Sequence, residues 1–187
     1  DDVTRRTHYA NARRTLERLL DLRVMPIVNE NDTVATSEIR FGDNDRLAAL
    51  VAHLIDADAL VLLSDVDALY DGPPHRAGAQ RIPLVKGPED LAGVEIGRSR
   101  SKVGTGGMAT KIEAARIATA AGVTTSITAA DRVIAVLAGE DVGTVFLPIG
   151  SRGRSRRLWL EHATSARGRL IVDDGAVQAL THHKKSL

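Results

Sequence analysis

The sequence predicts an α/β fold, a mainly parallel sheet sandwiched by helices, on three observations. Helical and strand-like periodicities alternate along the chain. The strand-like runs are short and continuously apolar, and polar clusters follow them where a parallel sheet would present its carboxyl ends. Length sets the scale: 187 residues with 43% hydrophobic content suffice for one domain of ordinary size, or for one domain plus a small appendage.

Across residues 4–22, Tyr9, Ala12, Leu16, Leu19 and Leu20 recur at helical spacing with arginines on the other faces, which predicts an amphipathic surface helix. Val24-Met25-Pro26-Ile27-Val28 is a continuous apolar run, expected to form a strand buried on both faces, with Pro26 at its start or on a sheet edge. It ends in Asn29-Glu30-Asn31-Asp32. Asp43 or Asp45 is expected to cap the next helix, which carries Leu47, Leu50, Val51, Leu54 and Ile55. Ala59-Leu60-Val61-Leu62-Leu63 is the second buried strand, closed by Ser64-Asp65. Residues 71–109 are rich in Gly, Pro, Arg and Ser, with little periodicity beyond a short strand at 82–85. A helix over 110–121, a stop at Gly122 and a third strand over 123–127 follow.

Charge is local rather than global. Lys+Arg 25 against Asp+Glu 24 leaves a net charge of +1, so the chain as a whole shows no signature of a nucleic-acid or membrane-surface binder. The absence of cysteine excludes disulfides, thiolate metal sites and cysteine nucleophiles, and fits a reducing compartment. Apolar runs are too short to span a bilayer and no charged-then-apolar leader opens the chain, so a cytoplasmic location is expected. Asn31-Asp32-Thr33 spells a glycosylation sequon, read as coincidence without a secretory signal. The six histidines form no helical i, i+4 pair with an acidic base, and no protein-ligated structural metal is expected.

The most informative stretch is Gly104-Thr105-Gly106-Gly107-Met108-Ala109-Thr110-Lys111. Glycines let backbone N–H groups approach an anion closely, a helix N-terminus adds partial positive charge, and Lys111 adds a full one. Gly104-x-Gly106-x-x-Ala109 also matches a relaxed dinucleotide fingerprint, but the preceding Gly97-Arg98-Ser99-Arg100-Ser101-Lys102 has the composition of a loop, not of the buried strand that fingerprint requires. A glycine-rich connection that binds nothing has the same composition. Asn29 to Asp32, Ser64-Asp65 and Asp43 likewise have plain readings as turn or cap residues. Jointly, on one edge of the sheet, they suggest an anionic ligand over the glycine loop and a smaller polar ligand near the carboxylates and amides.

Asn29-Glu30-Asn31-Asp32, Gly42-Asp43-Asn44-Asp45, Leu62-Leu63-Ser64-Asp65-Val66-Asp67-Ala68-Leu69-Tyr70 and the glycine loop occur in an order and approximate spacing that resemble the glutamate 5-kinase family, a branch of the amino acid kinases. The alanine-rich stretch 112–123 and Val142-Gly143-Thr144-Val145-Phe146 extend the resemblance over nearly the whole chain. It implies ATP-dependent phosphorylation of the glutamate side-chain carboxylate, with Mg²⁺ arriving on the nucleotide. It also implies a homo-oligomer and feedback inhibition by proline. Carried over by position, Asp32 and Asn44 would hold L-glutamate, and Ser64, Asp65 and Thr105, Gly106, Gly107, Met108, Ala109, Thr110 and Lys111 would hold ATP. Lys111 would neutralise phosphate charge during transfer, and Asp45 would orient the phosphate-binding lysine.

The same resemblance divides the chain into an amino acid kinase domain at 1–148 and, at 149–187, a linker and the beginning of a small β-rich PUA-like domain. The family's opening strand and its glycine- and serine-rich loop have no counterpart before Asp1, so the kinase part reads as N-terminally truncated. Ala68 stands where many relatives have glycine, which would strain the turn if its φ were positive. The basic run Ser151-Arg152-Gly153-Arg154-Ser155-Arg156-Arg157, with Trp159 beside it, reads as a solvated linker in preference to a phosphate-tracking RNA patch. Two alternatives stand beside the first reading: another amino acid kinase, for aspartate, carbamate or uridylate, and a non-enzymatic RNA-binding module of PUA type.

Overall fold

The computed structural model describes residues 2–29, 44–94 and 107–150, together with 173, 175 and 177. Four α-helices and four strands lie in those residues: α1 Asp2–Asp21, α2 Asn44–Leu54, β1 Ala59–Ser64, β2 Leu84–Val85, α3 Met108–Ala120, β3 Thr124–Ala129, α4 Val133–Leu137 and β4 Thr144–Phe146. The sheet order is β1-β3-β4-β2. β1 pairs with β3 in parallel and β2 with β4 in parallel, while β3 and β4 run antiparallel. The α/β class and the mostly parallel sheet are those the alternating periodicities predict.

All four helices end alike, and the ends set where the chain turns back. The helix reverses through one left-handed residue, and two backbone hydrogen bonds then satisfy the last carbonyls. In α3 that residue is Gly122 at φ 83°, with Val123 N–H reaching the Ala118 carbonyl at 3.0 Å. Gly139 at φ 80° serves α4 in the same way. In α1 and α2 the position falls to Arg23 at φ 56° and Asp56 at φ 52°, where Val24 N–H meets the Leu19 carbonyl and Ala57 N–H meets Ala52. A Cβ at positive φ is unfavourable, so both side-chain residues hold a strained conformation that the flanking helices impose. Arg13 of α1 bonds the Asp56 carboxylate at 2.6 Å, fastening α1 to the end of α2.

The core lies where α2 and α3 pack on each other and on the sheet. Ala49 and Ala52 of α2 face Ala114, Ala115 and Ala118 of α3, all at most 5% exposed, and these small side chains let the helices approach closely. Leu50, Leu62, Ile112, Ile117, Val123, Ile127 and Phe146 fill the remainder. β3 is the most deeply enclosed strand, with Thr125, Ser126, Ile127 and Thr128 all buried.

Two expectations need correction. Residues 24–28 form no strand: the backbone there has no regular structure, and Met25 and Ile27 are 83% and 93% exposed. A continuous apolar run signals a wish for burial, but a strand also needs a partner ladder. Pro26 has no N–H to give one, and none of the described strands pairs with this segment. Asp45 does not cap α2; it lies inside the first turn, one residue past Asn44, at which the helix begins. Asp43 lies outside the described residues. The turn after Asp67 is unstrained, since Ala68 is not among the positive-φ residues, and its methyl group is buried. The expected linker and PUA-like segment at 149–187 lies almost wholly outside the described residues.

Candidate active site

The topology brings two helix N-termini to one edge. α2 leads into β1 and α3 leads into β3, each through a short turn, so each helix runs antiparallel to the strand it feeds. Because β1 and β3 are parallel, both helices start above the carboxyl ends of these strands, the edge at which ligands collect in open α/β sheets. The alanine-lined α2–α3 contact holds the two starts together.

At that junction Lys111 Nζ donates to both oxygens of Asp45, at 2.9 Å to Oδ1 and 3.0 Å to Oδ2. The side chains are 12% and 15% exposed, so the pair is largely withdrawn from water yet open on one side. Thr110 Oγ1 lies 3.1 Å from Asp45 Oδ2 and 2.7 Å from the Gly107 carbonyl, within reach of either acceptor. Outside this pair, Arg46 bonds Glu113 at 3.2 Å, a second and more exposed link between the helices. Asp45 also suits its place on α2, since a carboxylate in a first turn is favoured by the helix dipole.

Gly107 is the N-cap of α3, with extended backbone at φ −121° and ψ −174°. Its carbonyl accepts from Thr110 and Lys111 N–H, at 3.1 and 3.2 Å. The N–H groups of Gly107, Met108 and Ala109 have no acceptor within the helix, and the first turn holds no acidic side chain to take them. Three donors, the positive end of a helix and an ammonium group thus lie together, which is the arrangement that receives an anion.

Ser64 and Asp65 stand at the end of β1, where Ser64 Oγ donates to Asp65 Oδ1 at 3.2 Å. Ser64 is opposite Ala129 in the ladder, so β3 fixes its height above the sheet. Asp67, two residues on, accepts from the Tyr70 hydroxyl at 3.1 Å. Burial, and then the bond to Asp67, raise the Tyr70 phenol above its ordinary pKa. Asn44 and Asn29 line a groove of about 460 Å³, whose other walls are Pro26, Val28, Leu47 and further apolar residues.

Asp45, Thr110 and Lys111 are therefore in mutual contact, Gly107, Met108 and Ala109 open the same helix, and Ser64, Asp65 and Asn44 occupy the same sheet edge. Asp32, Thr105 and Gly106 lie outside the described residues. Among the described residues no group of three or more His, Asp or Glu side chains converges to hold a metal ion, and no helix is long and apolar enough to cross a membrane. Sequence reasoning passed over the Arg46–Glu113 link; its only trace was that Arg46 adjoins Asp45 and Glu113 lies two residues past Lys111.

Residues 2–129 match the amino acid kinase family. The chain belongs to that family. Among curated relatives, this amino acid kinase is 60% identical to the glutamate 5-kinase of Streptomyces avermitilis and 62% identical to that of Salinispora arenicola, across its full length in both cases. It spans about half the length of these relatives, 50% and 51% respectively. Among solved structures, a carbamate kinase from Giardia superposes over 75% of this chain and 47% of its own, with a TM-score of 0.51 and 24% identity, a likeness of fold.

Proposed function

We propose that this chain is the part of a glutamate 5-kinase that supplies about half of the ATP and substrate shell, Lys111 included, and that the whole protein converts L-glutamate to L-glutamyl 5-phosphate, the first step towards proline. The observation that carries the reading is the Asp45–Lys111 pair between two adjacent helix N-termini. The identity to glutamate 5-kinases over the full chain supports glutamate as the acceptor over aspartate, carbamate or uridylate.

Phosphoryl transfer asks the protein for positioning and for stabilisation of charge, with little covalent participation. A side-chain oxygen of glutamate attacks the γ-phosphorus in line, an O–P bond forms, and the bond to the β–γ bridging oxygen breaks, releasing ADP. The attacking carboxylate is already ionised, so no general base is required. In this scheme the N–H groups of Gly107, Met108 and Ala109, with Thr105, Gly106 and Thr110, hold the phosphates, while Ser64 and Asp65 hold the nucleotide from the β1 side. Lys111 places its charge on the transferring group, and Asp45 keeps that ammonium from swinging into solvent. Asn44 and Asp32 bind the amino acid, Asp32 through its α-ammonium group. Mg²⁺ would come with the nucleotide and neutralise phosphate charge; Asp45 is committed to Lys111 and is not assigned to it.

The regions 1–148 and 149–187 are assigned to the kinase domain and to a linker with the start of a PUA-like domain. A homo-oligomer in the cytoplasm is the assembly and location that go with this reading. Proline, sharing the amino-acid pocket near Asp32 and Asn44, is its feedback inhibitor; a titration in the full-length enzyme should raise the KM for glutamate, and unchanged glutamate kinetics would remove this element. The decisive assay is a panel of acceptors with ATP and Mg²⁺, following ADP release and trapping acyl phosphate with hydroxylamine. Glutamate-dependent hydroxamate is the expected product. ADP release with aspartate, carbamate or uridylate and none with glutamate would overturn the reading.

A further inference from the structure

The Gly143-Thr144 step that opens β4 has no part in the chemistry just described, yet it is among the most constrained places in the described structure. Thr144 is fully buried. Its hydroxyl accepts from Leu69 N–H at 2.8 Å and donates to the Ile82 carbonyl at 2.7 Å, so its proton has one destination and its lone pair another. The Leu69 carbonyl in turn accepts from Ile82 N–H at 2.8 Å. One hydroxyl thus ties together the exit from β1, the segment leading to β2, and β4. Gly143 makes this possible: at φ 71° its Cα lies so close to β3 that a Cβ would stand 2.5 Å from the Ile127 carbonyl oxygen. Arg81 secures the same turn from outside, bonding the Asp141 carboxylate at 2.6 Å and the Gly143 carbonyl at 3.3 Å.

The tie falls at the far end of the turn that carries Ser64 and Asp65. Ser64 is held by its place in the ladder opposite Ala129, and Leu69 by Thr144. Between these fixed points lie residues 65–68, with Asp65 and Asp67 exposed and Ala68 and Leu69 buried as the root of the turn. A short segment clamped at both ends has few conformations left, so its polar groups stand where the clamps put them. We propose that Thr144 is a positioning residue for the nucleotide side of the site, acting through Leu69 to set where Ser64 and Asp65 meet ATP. The inference rests on the reading of Ser64 and Asp65 as nucleotide contacts.

The test uses the full-length protein. Thr144→Val keeps the β-branched shape and removes the hydroxyl, Thr144→Ser keeps the hydroxyl, and Thr125→Val removes another fully buried threonine hydroxyl, on β3, that donates to the Val123 carbonyl at 3.4 Å, two residues away in the same segment. Calorimetry with a non-hydrolysable ATP analogue, and the KM values of both substrates, are the readouts. Thr144→Val is expected to weaken analogue binding and raise the KM for ATP about tenfold, with the glutamate KM changed less than about twofold. Thr144→Ser should fall within about threefold of the unmodified protein, and Thr125→Val should leave nucleotide affinity unchanged. If Thr144→Val fails to fold, hydrogen exchange in the unmodified protein decides: the Leu69 amide should be protected as strongly as the amides of β3. Unmodified protein that binds the analogue, combined with normal affinity in Thr144→Val or rapid exchange at Leu69, overturns the proposal alone. Unmodified protein that binds no adenine nucleotide overturns the underlying reading with it.

Discussion

Replacing either member of the Asp45–Lys111 pair leaves a charge behind, and the two charges are not left in equal company. The ion pair is close, 2.9 and 3.0 Å, and only 12% and 15% exposed. Removing one partner from a buried pair costs about 3–5 kcal/mol, and the residual access to water here lowers the ceiling to about 4. Asp45→Asn strands the Lys111 ammonium near the N-terminus of α3, where the helix dipole repels it. Lys111→Met strands the Asp45 carboxylate in the first turn of α2, where the dipole favours it by about 0.3–1 kcal/mol, with the Thr110 hydroxyl at 3.1 Å still able to donate. We therefore expect Asp45→Asn to cost about 2–4 kcal/mol and Lys111→Met about 1–2. Urea unfolding with unchanged m-values reads the difference directly; at an m-value of about 2 kcal/mol/M the two midpoints should differ by roughly 0.5–1 M. Equal costs, or a costlier Lys111→Met, would refute the argument that the helix termini set the balance. Activity should invert the order, because Lys111→Met removes the group proposed to meet the phosphates: kcat should fall at least about a hundredfold, and more than for Asp45→Asn.

Gly143→Ala should destabilise by more than about 2 kcal/mol, since positive φ and a 2.5 Å approach to the Ile127 carbonyl add to each other; a smaller loss in thermal or urea unfolding would mean that the turn relaxes cheaply. Arg23→Gly should stabilise by about 0.5–1 kcal/mol by relieving the left-handed end of α1, and a drop in Tm would count against that assignment. Tyr70 should ionise above the ordinary tyrosine range. With its folded pKa raised, the stability it contributes is complete below the unfolded pKa near 10 and is lost as pH rises through the folded value. Spectrophotometric titration should show Tyr70 ionising late, and Tyr70→Phe should remove that phase and flatten the alkaline loss of stability.

Much of this was legible in one dimension because it depends on local pattern. The spacing of Leu47, Leu50, Val51 and Leu54 gives α2, Gly122 gives the end of α3, and the apolar run at 59–63 gives β1, each through a preference that a few neighbouring residues satisfy. The position of Lys111 in the first turn of α3 was legible for the same reason. What escaped was whatever depends on a distant partner. The run at 24–28 has the composition of a strand and lacks the ladder, while Thr144-Val145-Phe146 is too short to show a period and is a strand because β3 and β2 lie beside it.

Composition and periodicity by themselves thus determined the fold class and helices α1, α2 and α3, while the five-residue α4 left no expectation in the sequence, since backbone preference and amphipathic spacing are properties of longer contiguous runs. Only the tertiary structure decided which charges meet. Asp45 and Lys111 stand 66 residues apart and touch because alanines let α2 and α3 pack closely, and Thr144 reaches Leu69 across 75 residues because β4 inserts beside β3. Neither contact leaves a period in the sequence: each comes from two elements docking on a third, and its strength comes from the burial that docking creates.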